Sequence, residues 1–403
     1  MTLKLHNTLS NSLEEFKPIE QGKVKMYHCG PTVYGIQHIG NLSMFVFTDI
    51  LRRTLEYSDF KAKQVINITD FGHLTSDADE GEDKMTKGLK REGLELNLEN
   101  MLSMGKKYAG FFLQDLSKLN IEMEGTLFPY ASDYVQDQFE LIKKLEEKGL
   151  AYKTSDGLYF DTSKFPDYGK LGGLTKNNNE NRVEVNSEKR NPSDFALWKS
   201  NTGLGWESPW GKGFPGWHIE CSAMIIKLLG EQIDIHTGGI EHIPVHHNNE
   251  IAQSESVTGK SPFSKYWLHR AHLQIGGEKI AKSEGNVVYL SEIIEKGFSP
   301  LAFRYFLLNS TYRTPTNFTW EGLEAANNAL EKLKKTVSTW QVDTEGGVVD
   351  EAYKAQFREK LENDLNTPQA LAVVWTLIKD KDVLPNNKLA TLKDFDKVLG
   401  LGL

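Results

Sequence analysis

The chain has 403 residues, 39% hydrophobic and 25% charged, with 47 basic against 55 acidic side chains and a net charge of −8. That length suggests two or three domains, and the charge balance argues against indiscriminate nucleic-acid binding while leaving room for a local basic face. No apolar run approaches the roughly 18 residues that span a membrane, Met1-Thr2-Leu3-Lys4 lacks the core of a signal peptide, and the presence of only two cysteines, Cys29 and Cys221, argues against a disulfide framework and makes a reducing cytoplasm the expected home.

The first informative stretch is 26–41. A short apolar strand over 24–27 leads to a thiol at Cys29, a turn at Gly30-Pro31 and then His38-Ile39-Gly40-Asn41. A helix is expected over 42–57. Strand, polar loop and helix in that order form a nucleotide entrance, because the helix N-terminus points free amides at phosphate. Gly40 removes a side chain where a ligand must come close. Residues 63–68 predict a second strand, ending at Asn67-Ile68-Thr69-Asp70, so the unit is parallel α/β. The acidic run 77–83 is expected to be a solvated loop.

Helices are expected over 98–119 and 133–148, the second stopped by Gly149, with a short strand at 158–160. Residues 164–200 are polar and turn-rich, and the Asn177–Asn181 tract has the composition of a disordered loop. This middle region is expected to be an insertion. The α/β pattern resumes at 233–235, running into Gly238-Gly239. From Ser291 the pattern is helical to the end, with helices over 301–308 and 320–340 and two or three more over 353–399. Asn366 or Thr367 can cap one of these, with Pro368 in its first turn. The expected fold is α/β, a Rossmann-like doubly wound parallel sheet split by an insertion and followed by a helical bundle. The expected units are 1–125, 126–215 (insertion), 216–300 and 301–403.

Two constellations carry chemistry. Cys221 lies in Gly216-Trp217-His218-Ile219-Glu220-Cys221-Ser222, and His246 and Glu250 stand four apart, on one face of a helix. With Cys29 they would make a set of soft and borderline zinc ligands. On spacing alone, two buried thiols acting as small apolar residues, with histidines that pack or cap, explain the same pattern. The second constellation is Lys279-Ile280-Ala281-Lys282-Ser283, two lysines in a glycine-flanked loop that could close over a polyphosphate.

These residues resemble the class I aminoacyl-tRNA synthetases, and within them the cysteine–tRNA ligases. The class marks are His38-Ile39-Gly40-Asn41 and Lys279–Ser283. The cysteine-specific marks are Tyr27–Tyr34, Asn67–Asp70, Arg190–Lys199, Gly216–Met224 and Asp234–Ser254, and the resemblance runs from about residue 3 to Leu403. It implies a zinc ion, one per chain, on Cys29, Cys221, His246 and Glu250. The substrate thiolate would bind this metal, which separates cysteine from serine better than a pocket selecting by size. It implies ATP with Mg²⁺, L-cysteine and tRNA(Cys) as partners. His38, Asn41, Lys279 and Lys282 are the implied catalytic residues. Gly40, Gly238, Gly239 and Glu241 would lie near the nucleotide, and Thr69, Trp217 and His236 with Cys29 would line the cysteine pocket. A monomer with no membrane association is the family expectation.

The chain departs from the family pattern at several places. Asn41, Ile280 and Ala281 stand where other residues are commoner, and Phe71-Gly72-His73 follows Asp70 where relatives usually continue with acidic residues. The small anticodon-reading domain with which typical members continue beyond the helical region is also expected to be absent. Two rival readings remain at the level of sequence. One is a ligase that joins cysteine to a small amine in thiol-cofactor synthesis. The other is a non-catalytic binding protein that kept the fold, against which the intact Cys29, His38, Cys221, His246, Glu250 and Lys282 argue.

Overall fold

A computed structural model describes residues 2–72, 83–173, 188–201, 203–279, 287–341 and 346–403. The chain opens with an antiparallel hairpin, β1 (Lys4–Asn7) and β2 (Ser12–Glu15). Next come β3 (Lys23–His28), α1 (Ile39–Tyr57) and β4 (Lys61–Ile66), the strand–helix–strand unit expected from the sequence. After α2 (Lys84–Glu92) and α3 (Leu98–Lys118), β5 (Thr126–Leu127) joins the same sheet.

The insertion holds α4 (Val135–Glu147), β6 (Ala151–Thr154), β7 (Gly157–Phe160), β8 (Phe195–Ser200) and β9 (Gly213–Pro215). The four strands pair antiparallel in that order. The expectation of a polar loop over 164–200 therefore fails at its end. Phe195, Ala196, Leu197 and Trp198 are buried in β8. The Asn177–Asn181 tract lies outside the described residues, as does most of the acidic run 77–83.

Then come α5 (Trp217–Leu228), β10 (Ile233–Gly239), α6 (His246–Thr258) and β11 (Ser264–Arg270). The central sheet has the order β11-β10-β3-β4-β5, every pair parallel. Strand order reverses between β3 and β10, which makes their carboxyl ends the switch point where ligands bind in such sheets. Side chains alternate across the strands. Val24, Met26, Ile235 and Leu268 pack with Leu51 and Leu55 of α1. Tyr27, Val65 and Trp267 pack on the other face with Ile219, Cys221 and Ile251 of α5 and α6.

A small sheet follows, β12 (Leu273–Ile275) between β13 (Glu278–Lys279) and β14 (Thr316–Phe318). β14 interrupts the region expected to be wholly helical; it pairs parallel with β12, a partner 40-odd positions earlier that local sequence cannot reveal. The helices are α7 (Leu290–Glu295), α8 (Pro300–Leu308), α9 (Trp320–Gln341), α10 (Glu351–Glu362), α11 (Thr367–Lys379) and α12 (Pro385–Leu399). Asn366 caps α11 by accepting from Gln369 N. The expected stripe Leu323, Ala326, Leu330, Leu333 and Val337 is buried.

One buried ion pair ties the bundle to α1. Asp49 Oδ2 accepts from Arg304 Nη2 at 2.5 Å and from Arg53 Nε at 2.8 Å. Arg304 Nε donates to Leu399 O at 2.6 Å and its Nη1 to Leu119 O at 3.1 Å, while Arg53 reaches Lys397 O and Asn120 O. The two guanidinium groups thus serve carbonyls that the ends of α3 and α12 leave without helical partners.

Candidate active site

The site forms where β3 and β10 end. The turn after β3 is laced to the segment after β4. Gly30 N donates to Asn67 Oδ1 at 2.8 Å, Thr69 N to Pro31 O and Val33 N to Thr69 O, both at 3.0 Å. A Cβ on Gly30 would stand 1.5 Å from Asn67 O, so only glycine fits. Asp70 turns away from the site to accept from Ser132 N at 3.0 Å and Ser132 Oγ at 2.6 Å; burial nevertheless raises its carboxyl to about 6.

Cys29 follows β3, Cys221 lies one turn into α5, and His246 and Glu250 share a face of α6. One donor atom from each lies within 4.8 Å of all the others, and every one of the four is buried. Cys221 Sγ is 3.6 Å from His246 Nε2, which is 2.9 Å from Glu250 Oε1, itself 3.9 Å from Cys29 Sγ. A second set, Cys29, His236, His247 and Glu250, meets the same distance limit and shares two members with the first. The first set has two sulfurs and is the softer.

The charges of these groups are coupled. Burial works against ionising Cys221, but hydrogen bonding from Cys29 and His246 brings its thiol down to about 6. Burial pushes the Cys29 thiol up. Burial also opposes a charged Glu250, yet the His236 and His246 rings hold it down at about 2; the Glu250 carboxylate in turn lifts His246 to about 10 against burial. The donors therefore form an anionic, desolvated nest that suits a cation.

A shell of histidines surrounds it. His236 Nε2 lies 2.8 Å from Glu250 Oε2, and its ring stacks on Trp267 with centroids 4.5 Å apart. His236 thus contacts an expected ligand directly instead of only lining a pocket. His247 Nε2 lies 3.3 Å from Cys29 Sγ; its Nδ1 lies 2.8 Å from His269 Nε2, and His269 Nδ1 lies 2.8 Å from Thr8 Oγ1. His218 Nδ1 meets His246 Nδ1 at 2.8 Å. Trp217 packs on His246 with centroids 4.1 Å apart and the rings tilted by 35°. Thr69 donates to Glu220 Oε2 at 2.9 Å, and burial holds the Glu220 carboxyl well above its ordinary value. Sequence reasoning assigned no role to His218, Glu220, His247 or His269. Glu220 and His218 lie within the motif quoted around Cys221 and His247 within Asp234–Ser254, while no signal marked His269.

At the entrance, His38 caps α1, its Nδ1 accepting from Asn41 N at 3.2 Å. Asn41 is exposed at the first turn. Ile39 N donates to Val288 O at 3.0 Å, and His38 bridges Tyr289. The backbone that re-enters the described residues at 287 is thereby fixed beside α1. Lys279 ends β13, opposite Gln274. Lys282 and Ala281 lie outside the described residues. Gly238 and Gly239 end β10: a Cβ on Gly238 would stand 2.5 Å from His242 Nδ1, and one on Gly239 2.2 Å from Glu241 Oε2. Glu241 Oε2 is 3.5 Å from His272 Nδ1.

Residues 15–328 match the family model described as tRNA synthetases class I (C) catalytic domain, and residues 356–403 match that of the DALR domain. A cysteine–tRNA ligase of Treponema denticola is 43% identical, the match covering 100% of this chain and 87% of the relative. The cysteine–tRNA ligase 1 of Burkholderia lata is 45% identical, over 100% of this chain and 85% of the relative. Among solved structures, methionyl-tRNA synthetase of Mycobacterium tuberculosis with methionyl-adenylate superposes with a TM-score of 0.64 at 14% identity, covering 94% of this chain and 90% of that one. A leucyl enzyme of Agrobacterium radiobacter in a ternary complex gives 0.67 at 11% identity, over 96% and 84%. At such identities these two establish the fold alone.

Proposed function

The chain belongs to the class I aminoacyl-tRNA synthetases, among the cysteine–tRNA ligases, and from that premise we propose how its residues divide the work. The reaction activates L-cysteine with ATP and transfers it to the 3′ end of tRNA(Cys). The observation that carries the assignment of residues is the buried convergence of Cys29, Cys221, His246 and Glu250.

Two thiols, an imidazole and a carboxylate are the donor chemistry of zinc, one ion per chain, and this set is preferred to its overlapping rival because it holds both sulfurs. A zinc ion held there would take the substrate thiolate and discriminate against the hydroxyl of serine. His236 and His247 then act as hydrogen-bonding partners of Glu250 and Cys29. Thr69 and Trp217 flank the amino-acid pocket. The substrate carboxylate attacks the α-phosphate of ATP, giving cysteinyl-adenylate and pyrophosphate, with Mg²⁺ accompanying the nucleotide. His38, the first amides of α1, Lys279 and Lys282 stabilise charge on the phosphates, and Asn41 donates a hydrogen bond where histidine is common. Gly238, Gly239 and Glu241 border the nucleotide. The 2′-hydroxyl of the terminal adenosine then accepts the cysteinyl group. The helical region 301–403 faces the tRNA, and the protein works as a cytoplasmic monomer.

The test is charging: purified protein, ATP, Mg²⁺ and labelled cysteine, with and without tRNA(Cys). Label on the tRNA 3′ end is expected. Adenylate formed without transfer would overturn the acceptor assignment and favour a small amine. No adenylate would overturn the enzyme.

A further inference from the structure

The metal set above leaves open what fixes the ring of His246. We infer that His218 is a positioning residue for His246, holding it as a ligand through its Nε2 by accepting the hydrogen on its Nδ1. The inference rests on the metal reading just given.

The geometry allows one proton arrangement once Nε2 binds a cation. His246 Nε2 faces the other donors, 2.9 Å from Glu250 Oε1 and 3.6 Å from Cys221 Sγ. A nitrogen that offers its lone pair to a metal carries no hydrogen, so the ring's hydrogen sits on Nδ1. That Nδ1 lies 2.8 Å from His218 Nδ1. Two bare nitrogens at this distance would repel, and two protonated ones would clash. His218 Nδ1 must therefore be the acceptor, and the hydrogen of His218 sits on its Nε2.

The local fold prepares this contact. His218 and Cys221 are three apart on α5, hence on one face. One helix thus supplies both a sulfur donor and the prop for the imidazole on α6. The His218 ring is 1% exposed and is held edge-on by Phe195 at 5.6 Å and 85°. Ligand histidines usually donate their second N–H to a carboxylate, carbonyl or water, which fixes the tautomer and raises ligand basicity. Here a second imidazole takes that place.

The test compares His218→Asn with His218→Gln in the full chain. The amide oxygen of Asn can occupy the Nδ1 position; the amide of Gln reaches the Nε2 position instead. Zinc affinity is measured by competition with a chromophoric chelator, and the visible spectrum of the cobalt-loaded protein reports ligand geometry. His218→Gln is expected to weaken zinc binding by roughly 10–100-fold and to alter the cobalt bands, with His218→Asn staying within about threefold of wild type. Equal affinity and identical spectra for wild type and His218→Gln would overturn the inference, as would equal losses in both variants. Far-UV circular dichroism checks that each folds. Wild-type protein that binds no stoichiometric zinc would instead overturn the metal reading itself.

Discussion

Cys29 Sγ lies 3.9 Å from Glu250 Oε1, although 221 positions separate the two residues. The contact exists because β3 and β10 are neighbours at the sheet's switch point, with α6 packed behind them. If this convergence is a zinc site, Cys221→Ser replaces a thiolate with a hydroxyl that seldom ligates zinc, and affinity should fall by roughly 100-fold or more. Elemental analysis after dialysis checks it: undiminished stoichiometric zinc in the variant would sink the four-ligand assignment.

Gly30 tests the lacing of the cysteine turn. Gly30→Ala puts a methyl group 1.5 Å from Asn67 O, and the backbone must move to admit it. A destabilisation above roughly 3 kcal/mol is expected, large enough to show as insoluble or low-melting protein. Gly110 is the control. It lies inside α3 with open space where its Cβ would go, so Gly110→Ala should stabilise by about 0.5–1 kcal/mol. Thermal melts of both variants decide the matter.

Asp70 gives a pH prediction. Its carboxyl rises from 3.8 to about 6 on folding. Between those values the folded state holds more protons than the unfolded one, so stability falls as pH rises through this window. The Asp70 contribution should be fully present below pH ~4 and lost above pH ~6, a change of roughly 3 kcal/mol. Urea melts of wild type and Asp70→Asn at pH 4.5 and 7 measure it. The variant should gain on wild type at the higher pH; an unchanged difference between the two would refute the shift.

Arg304→Met should cost roughly 3–5 kcal/mol, because it leaves the buried Asp49 carboxylate held by Arg53 and the N–H of Glu122 without its buried ion-pair partner, and deprives two helix ends of a donor. Adding Asp49→Asn should cost less than the sum of the single changes, since the pair shares one network. A strictly additive double mutant would show that the two residues do not act together.

Much of the fold was legible because its main elements announce themselves locally. Gly149 stops α4, Asn366 and Pro368 start α11, and the stripe from Leu323 to Val337 has helical spacing throughout. β8 and β14 were not legible. Their identity depends on partners, β7 and β9 for one and β12 for the other, that sequence does not display. α2 was missed as well, because its lysines mask a face of only three buried residues, Met85, Gly88 and Leu89. At the site, Cys29, Cys221, His246 and Glu250 were visible by donor type and by resemblance. His218, His247 and His269 were not, because a neutral buried histidine differs from a packed one only in what its nitrogens face. Lys282 lies outside the described residues.

The Asp49–Arg304 pair has a consequence for inheritance. Asp49 sits about three turns into the helix that His38 caps, and Arg304 grips the last carbonyl of α12. Lesions in α12 would therefore be felt along α1, toward the end that His38 caps. A heat-sensitive allele mapping to that last helix should fail first in adenylate formation, even though nothing in α12 handles ATP.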